Sequence, residues 1–312
     1  MEARHPRRIT RGMRGMLYVF TVLSFIAGAL LTTLSEQTDV AFAWDLAPPM
    51  SAVFVGAVYM TIAMLMLWAA RQHDLSRAAV IMPAILVVTT LLLATSLEHI
   101  EQFDGPLGVF WIAVYGLVVP LEVVMLAIQL TAPGTATARS ARLPLGLRAS
   151  AAIHAPVALG LGLALFAAPN EIESIWPWEL GELSAEASGA FLIGAGLIAM
   201  QVAVRDDRAD LPVLALYYLL PGVMLLLGVS RFSGDLDFAD LSAWLLLGIA
   251  GALLALGAWT ARLALSEGRF ASPRPRGGLP VEAAPTWLAA QGRREHGGPA
   301  NEPGDLPSST IT

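Results

Sequence analysis

The sequence predicts an all-α integral membrane protein with eight membrane-spanning helices. Of the 312 residues, 56% are hydrophobic and only 14% are charged, whereas a soluble domain carries about 25% charged residues. The apolar residues are grouped in eight long blocks, and the loops between them alternate between arginine-rich and acid-rich. Lipid offers no partner to open backbone groups, and the blocks lack the alternation of a membrane β-barrel. These observations therefore favour helices.

Each apolar block has roughly 18 to 24 residues, which matches the ~20 needed to cross a ~30 Å hydrocarbon layer as a helix. The blocks are Met16–Leu34, Met50–Ala70, Ala78–Leu97, Leu107–Leu130, Ala149–Ala168, Ala187–Val204, Pro212–Val229 and Leu241–Ala261. The predicted domains are a basic N-terminus (1–15), a four-helix unit (16–131), a linker (132–148), a second four-helix unit (149–265) and a cytoplasmic tail (266–312). The tail is rich in Pro and Gly, so we expect it to be disordered.

The loop charges predict that both termini lie in the cytoplasm. Eighteen of the nineteen arginines fall in the N-terminus, the tail and three alternate loops, and only Arg231 falls on the opposite side. Fourteen acidic residues fall in the other four loops. Cytoplasmic loops are the arginine-rich ones, which favours a bacterial inner-membrane protein with an acidic outer side. That acidity either accompanies the charge rule or forms a vestibule that concentrates cations.

The two four-helix units resemble each other. A single offset of 134 residues aligns Trp44-Asp45-Leu46 with Trp178-Glu179-Leu180, and Arg71 with Arg205. Each unit has an even number of helices, so a duplication would relate the units by an axis along the membrane normal. The sequence therefore predicts a parallel repeat.

Five polar residues inside the apolar blocks form a candidate intramembrane site. They are Glu122, His154, Gln201, Tyr217 and Tyr218. Glu122 lies well inside its block, just after Pro120, and a carboxylate at that depth faces the bundle interior or water. All five residues lie in the inner half of the membrane. They form either a proton relay or polar pocket, or hydrogen bonds that only join helices.

A second candidate site lies on the outer side. Its residues are Trp44, Asp45, His99, Glu101, Trp178 and Glu179. His99 and Glu101 are two positions apart, whereas metal ligands on a helix are usually three or four apart, so we predict no metal. The chain has no Cys and no Lys, which excludes thiol and Schiff-base chemistry. Without a phosphate loop or a catalytic motif, we expect no cofactor and no nucleic-acid partner.

Several short motifs carry a family resemblance. They are Phe42-Ala43-Trp44, Pro48-Pro49, Ser51-Ala52, Gly56-Ala57 with Tyr59, Thr89-Thr90 leading to His99 and Phe103, and Trp176-Pro177-Trp178-Glu179-Leu180. Together they resemble a group of eight-helix, multi-pass membrane proteins of high-GC bacteria of the actinobacterial type. The resemblance covers roughly residues 15–262. It implies the membrane fold and the aromatic–proline outer loops, and it assigns neither an activity nor functional residues.

Three functional classes remain open. The repeat and the intramembrane Glu122 favour a transporter or channel-like protein. The scarcity of polar residues is most compatible with a non-catalytic scaffold or assembly partner for another membrane protein. A membrane-embedded enzyme acting on a lipid or other apolar substrate would use Glu122 and His154 as acid and base. All three classes have the lipid bilayer as a partner, and the sequence identifies no small-molecule substrate.

Overall fold

The computed structural model describes residues 6–135, 137, 139–172 and 175–270, and the regular elements in this part of the chain are helical. The eight long helices are α1 (Arg11–Thr33), α2 (Pro49–Ala70), α3 (Met82–Glu98), α4 (Gly105–Thr131), α5 (Leu145–Ala167), α6 (Glu182–Arg205), α7 (Leu211–Arg231) and α8 (Leu241–Ser266). All except α3 are long and apolar enough to cross a membrane. The chain is therefore an all-α, multi-pass membrane protein. The tail predicted to be disordered lies, from residue 271 onward, outside the described residues.

Several helices begin at other residues than the predicted blocks do, and for α1 and α3 the reasons are local. Helix α1 begins five residues before its block, because the Thr10 hydroxyl caps it by accepting a hydrogen bond from the Met13 N–H. Helix α3 begins at Met82, with Pro83 in its first turn, where the missing N–H is not needed. A separate helical turn precedes it and is capped by Asp74. With 17 residues, α3 is at the lower end of the spanning range.

Helices α2 and α6 form the centre of the bundle, and most of their residues are buried. Helix α1 packs against α2, and α5 packs against α6. Helix α7 packs against α8 and α2, while α3 packs against α4 and α6. Residues of both predicted four-helix units therefore belong to one compact body. The peripheral helices α1, α4, α5 and α8 expose many apolar side chains, as surfaces in contact with lipid do.

The loops gather at two ends of the bundle. The acidic face contains residues 34–48, 99–104, 168–172, 175–181 and 232–240. There, the Met50 N–H donates to Asp235 Oδ2 at 3.0 Å. The arginine face contains residues 6–10, 71–81, 139–144 and 206–210. At this face, the Leu75 N–H donates to the Arg7 carbonyl at 2.9 Å. The arginine-rich loops and the acid-rich loops therefore lie at opposite ends of the bundle.

Asp207 fastens the linker between α4 and α5 to the arginine face. Its carboxylate accepts hydrogen bonds from the Ser140 hydroxyl at 2.6 Å and from the Ala209 N–H at 2.9 Å. Burial favours the neutral carboxyl, but these hydrogen bonds, the Ser140 N–H and the charge of Arg205 outweigh it and lower the pKa of Asp207. The linker is therefore attached by a carboxylate that stays ionised.

Candidate functional site

Glu122 lies inside the bundle, on α4, and only 5% of its surface is exposed. Its Oε2 is 2.5 Å from the hydroxyl of Thr89 on α3. Its Oε1 is buried and has no hydrogen-bond partner among the described residues. A small cavity of about 20 Å³ lies beside this carboxyl group, between α1, α3 and α4. Glu122 is therefore half satisfied, and its open oxygen belongs to a buried site.

His154 belongs to a second polar group, between α5, α6 and α7. The Tyr217 hydroxyl donates its single proton to the Ala195 carbonyl at 2.9 Å. The same hydroxyl lies 3.1 Å from His154 Nε2, so it accepts a hydrogen bond from an Nε2–H tautomer. The Tyr218 ring stacks at 5.7 Å from the His154 ring. The Tyr217 hydroxyl thus joins three helices, whereas the buried Tyr218 hydroxyl has no hydrogen-bond partner among the described residues.

The five residues of the predicted intramembrane site therefore do not form one pocket. Glu122 pairs with Thr89, whereas His154, Tyr217 and Tyr218 lie together between α5, α6 and α7. Gln201, on α6, is hydrogen-bonded to none of them within the part of the chain described. Their similar depth did not bring them together, because the depth of a residue in the membrane says nothing about which helices are neighbours.

The two outer tryptophans make reciprocal contacts between the halves of the chain. The indole N–H of Trp44 donates to the Ser184 hydroxyl, at the start of α6, at 3.4 Å. The indole N–H of Trp178 donates to the Ser51 hydroxyl, at the start of α2, at 2.9 Å. Both indoles are buried. Asp45 accepts the hydroxyl of a neighbouring threonine and is exposed.

His99 meets a carboxylate other than the one nearest to it in sequence. Its Nε2 lies 3.2 Å from Glu186 Oε1, on the first turns of α6, and Thr95 donates to the other oxygen of Glu186. All three side chains are buried. Glu101 and Glu179 are exposed and take no part. Among the residues with described positions, no three His, Asp or Glu side chains gather as metal ligands would.

A cavity of about 220 Å³ lies between α1, α2, α3 and α4, and residues of α6 together with Tyr217 of α7 complete its wall. Its wall is almost wholly apolar. Ile26 on α1 and Leu107 and Phe110 on α4 line it, and each is 45% to 59% exposed. The cavity therefore reaches the molecular surface between α1 and α4, through side chains that face lipid.

An aromatic cluster closes this cavity toward the acidic face. The ring of Trp44 lies 4.9 Å from Phe42, 5.1 Å from Trp111 and 5.6 Å from Phe103. The loop between α1 and α2 carries Phe42 over the end of the cavity. Offset and edge-to-face ring packing of this kind is favourable beyond simple area burial. The cavity is therefore approached from the side of the bundle.

Two tyrosines in the cavity wall were not among the predicted site residues. The hydroxyls of Tyr59 on α2 and Tyr115 on α4 are hydrogen-bonded at 2.8 Å, and both residues are buried. Thr89, the partner of Glu122, also lines the cavity. Hydroxyl groups inside apolar blocks were the available signal for all three residues, because such groups usually find partners on other helices.

The architecture and the cavity define a class: a multi-pass, all-α membrane protein with an apolar cavity that reaches its lipid-facing surface. No protein-family model matches the sequence. Comparison with curated proteins and with solved structures finds no significant match.

Proposed function

We propose that this protein binds an apolar, lipid-like molecule in the cavity between α1 and α4. The observation that carries the proposal is the cavity of about 220 Å³, with its apolar wall and its exposed lining residues on two lipid-facing helices. An apolar cavity of about 150 Å³ is already enough to hold benzene. A molecule dissolved in the bilayer would enter between the two helices without crossing water.

The same geometry ranks the three functional classes. Conduction of ions needs a polar path, whereas this cavity is apolar and an aromatic cluster covers its acidic-face end. A scaffold needs no cavity of this size. A membrane enzyme on an apolar substrate is the second candidate, because the hydrogen-bonded Tyr59 and Tyr115 lie in the wall. The proposed binding protein and such an enzyme would both bind an apolar molecule.

The binding proposal is tested by filling the cavity. Val114 lines the cavity on α4, so Val114→Trp should occupy the space that the ligand needs. Val109→Trp, on the same helix, is the matched control, because Val109 is 65% exposed and does not line the cavity. Full-length protein is purified in a mild detergent and its bound lipids are extracted. Mass spectrometry then gives the molar ratio of lipid to protein.

We expect wild type and Val109→Trp to carry one apolar species at near-equimolar amounts, and Val114→Trp to lose at least three quarters of it. Equal amounts of the same species in all three proteins, or none beyond bulk membrane lipid in wild type, would refute the proposal. Circular dichroism and gel filtration of each variant establish that it has folded.

We also propose that the fold arose by tandem duplication of a four-helix unit. At the offset of 134 residues, both ends of α1 coincide with both ends of α5, and α2 and α6 differ by one residue at each end. Gly28 and Gly162 are equivalent at this offset, and neither has room for a Cβ atom against the adjacent helix. The close crossing of α1 and α2 thus recurs between α5 and α6.

Contacts between the halves support the same proposal. Trp44 and Trp178 are equivalent, and each bonds a serine at the start of the other half's second helix. Arg7 and Ala141 are also equivalent, and the carbonyl of each accepts an N–H from the next loop on the arginine face. Reciprocal pairs of this type are expected from a two-fold axis along the membrane normal.

The halves differ most where the cavity lies. In the second half, a Cβ on Gly222 would come within 2.5 Å of Leu254, and one on Gly257 within 2.4 Å of Leu219, so α7 and α8 pack closely. The equivalent positions on α3 and α4 are both valine, and these helices pack less extensively. Of these two valines, Val88 lines the cavity and faces Gly194 of α6, so the less extensive packing of α3 and α4 accompanies the cavity in the first half.

For the membrane, we propose eight spans, including α3, with the arginine face in the bacterial cytoplasm. The support is the segregation of loop charge to two ends and the positive-inside rule. Single cysteines introduced into loops of this cysteine-free chain test it. A cysteine at Ser76 should resist a membrane-impermeant maleimide in intact cells, and one at Asp104 should react. The opposite pattern would reverse the orientation, and reaction at both would remove α3 as a span.

A further inference from the structure

We propose that the ligand of the cavity carries a hydroxyl group and that Glu122 Oε1 accepts its hydrogen bond. The inference rests on the binding function proposed above and adds to it the chemical class of the ligand: a long apolar chain or ring system with one neutral hydrogen-bond donor. Its basis is a buried acceptor that the protein itself leaves open.

Glu122 has one satisfied oxygen and one open oxygen. Oε2 is bonded to the Thr89 hydroxyl at 2.5 Å, and that hydroxyl is also within 3.1 Å of the carbonyls of Ile85 and Leu86. Oε1 is buried without a partner in the described residues. A buried polar atom without a partner destabilises the fold. The site is therefore built to receive a partner from outside the chain.

Water is a poor candidate for that partner. The cavity of about 20 Å³ beside Glu122 has room for one water molecule. A buried water typically needs two to four polar partners. The other side chains around this cavity, such as Met13, Leu17 and Leu126, are all apolar. A water there would satisfy Oε1 and leave its own remaining groups unbonded.

The small cavity adjoins the large one. Phe20 and Ile85 line both, and Thr89 lines the large cavity while it bonds Glu122. The two cavities therefore share part of their walls near Glu122. Tyr115 and Glu122 are seven residues apart on α4, or about 10.5 Å along the helix axis. A ligand whose apolar body lies against Tyr115 would carry its polar group about two helical turns away.

The chemistry of the site selects a neutral donor. A carboxyl oxygen has lone pairs in either protonation state, so it accepts from a hydroxyl in both. An ammonium group would lose far more hydration on entering an apolar cavity than a hydroxyl would. The proposed duplication adds a comparison, because Glu122 and Thr89 correspond to Leu256 and Val223 in the second half, whose side chains offer no such acceptor.

The test uses brominated chains and the fluorescence of Trp111, which lines the cavity. Bromododecanol carries bromine and hydroxyl at opposite ends, and bromododecane lacks the hydroxyl. Each is titrated into full-length protein in lipid nanodiscs. Because one hydrogen bond contributes about 0.5–1.5 kcal/mol, saturable quenching of the wild type should need about three- to tenfold less bromododecanol than bromododecane.

The variants distinguish the effect of the hydrogen bond on probe binding from the effect of cavity shape. Glu122→Leu should make the two probes equal, whereas Glu122→Gln should keep the preference, because its amide oxygen accepts. Gln201→Leu, at another polar position of a long helix, is the matched control and should behave as wild type. This inference would be overturned if the wild type responded equally to both probes, or if the preference survived Glu122→Leu. It would also be overturned if a third probe, bromododecylamine, bound more tightly than bromododecanol. Absence of saturable quenching by every probe would instead refute the proposed binding function.

Discussion

Two glycines on one helix give opposite predictions for the same substitution. Gly162 of α5 faces α6, and a Cβ there would lie 2.7 Å from Ile193 N and 2.8 Å from the Gly189 carbonyl oxygen. Gly160, two residues earlier, has no atom within 4 Å of the position of a Cβ. Substitution by alanine at these two positions therefore tests how closely the two helices approach each other.

The magnitudes follow from the contacts. The neighbours of Gly162 are backbone atoms, which no rotamer change can move, so the helices must separate by several tenths of an ångström. Overpacking of this kind costs about 1–3 kcal/mol, and alanine returns at most about 1 kcal/mol through its helix propensity. We expect Gly162→Ala to lower the free energy of unfolding by up to about 2 kcal/mol, which is the overpacking cost less the gain in helix propensity. Gly160→Ala should raise it by up to about 1 kcal/mol.

The assay is a titration of full-length protein in dodecylmaltoside micelles with sodium dodecyl sulfate, followed by tryptophan fluorescence and circular dichroism. Gly28→Ala, at the equivalent crossing of α1 and α2, should behave as Gly162→Ala does, because a Cβ there would lie 2.9 Å from Met60 N. Equal effects of Gly160→Ala and Gly162→Ala, or stabilisation by both, would show that α5 and α6 do not approach this closely.

Three further outcomes can be checked in the same micelles. Trp178→Phe should destabilise by about 1–3 kcal/mol, because it removes the indole hydrogen bond and leaves the buried Ser51 hydroxyl unpaired; an unchanged midpoint would show that this hydrogen bond is not formed. Glu186→Gln should cost a similar amount by weakening the contact with His99, and no cost would mean that the pair is not formed. The lowered pKa of Asp207 stabilises the fold above the unfolded pKa of about 4, and this contribution is lost as the pH falls through the folded pKa. The difference in thermal midpoint between wild type and Asp207→Asn should therefore shrink between about pH 6 and pH 3, whereas a constant difference would refute that assignment.

The fold class was predictable because its signals are local. A block of about twenty apolar residues defines a helix without reference to the rest of the chain, and the all-α membrane class is confirmed. Helix ends were less predictable, since they depend on single residues such as Thr10 and Pro83. The charge of each loop also predicts at which end of the bundle the loop lies, because this charge is a local property of the sequence.

The site was less predictable because it depends on which helices are neighbours. The sequence indicated that Glu122 would avoid lipid, but its partner Thr89 lies 33 residues away on another helix. The sequence groups His99 with Glu101, two residues away, whereas the carboxylate that His99 contacts is Glu186, in the other half of the chain. The cavity has no sequence motif at all, because it is the space that several helices, distant in sequence, leave between them.

The contrast between the halves suggests how an apolar membrane bundle holds a ligand site. Close helix crossings require small residues, and they leave no interior space; Gly222 and Gly257 make such a crossing between α7 and α8. A site requires the opposite: bulky residues at the crossing and polar groups that the bundle does not satisfy. In the first half, α3 and α4 pack less extensively, Val88 lines the cavity and faces Gly194 of α6, and Glu122 keeps an open oxygen. On the proposed duplication, the rigid half and the reciprocal tryptophan contacts would supply the stability that an incompletely packed, half-satisfied site takes away.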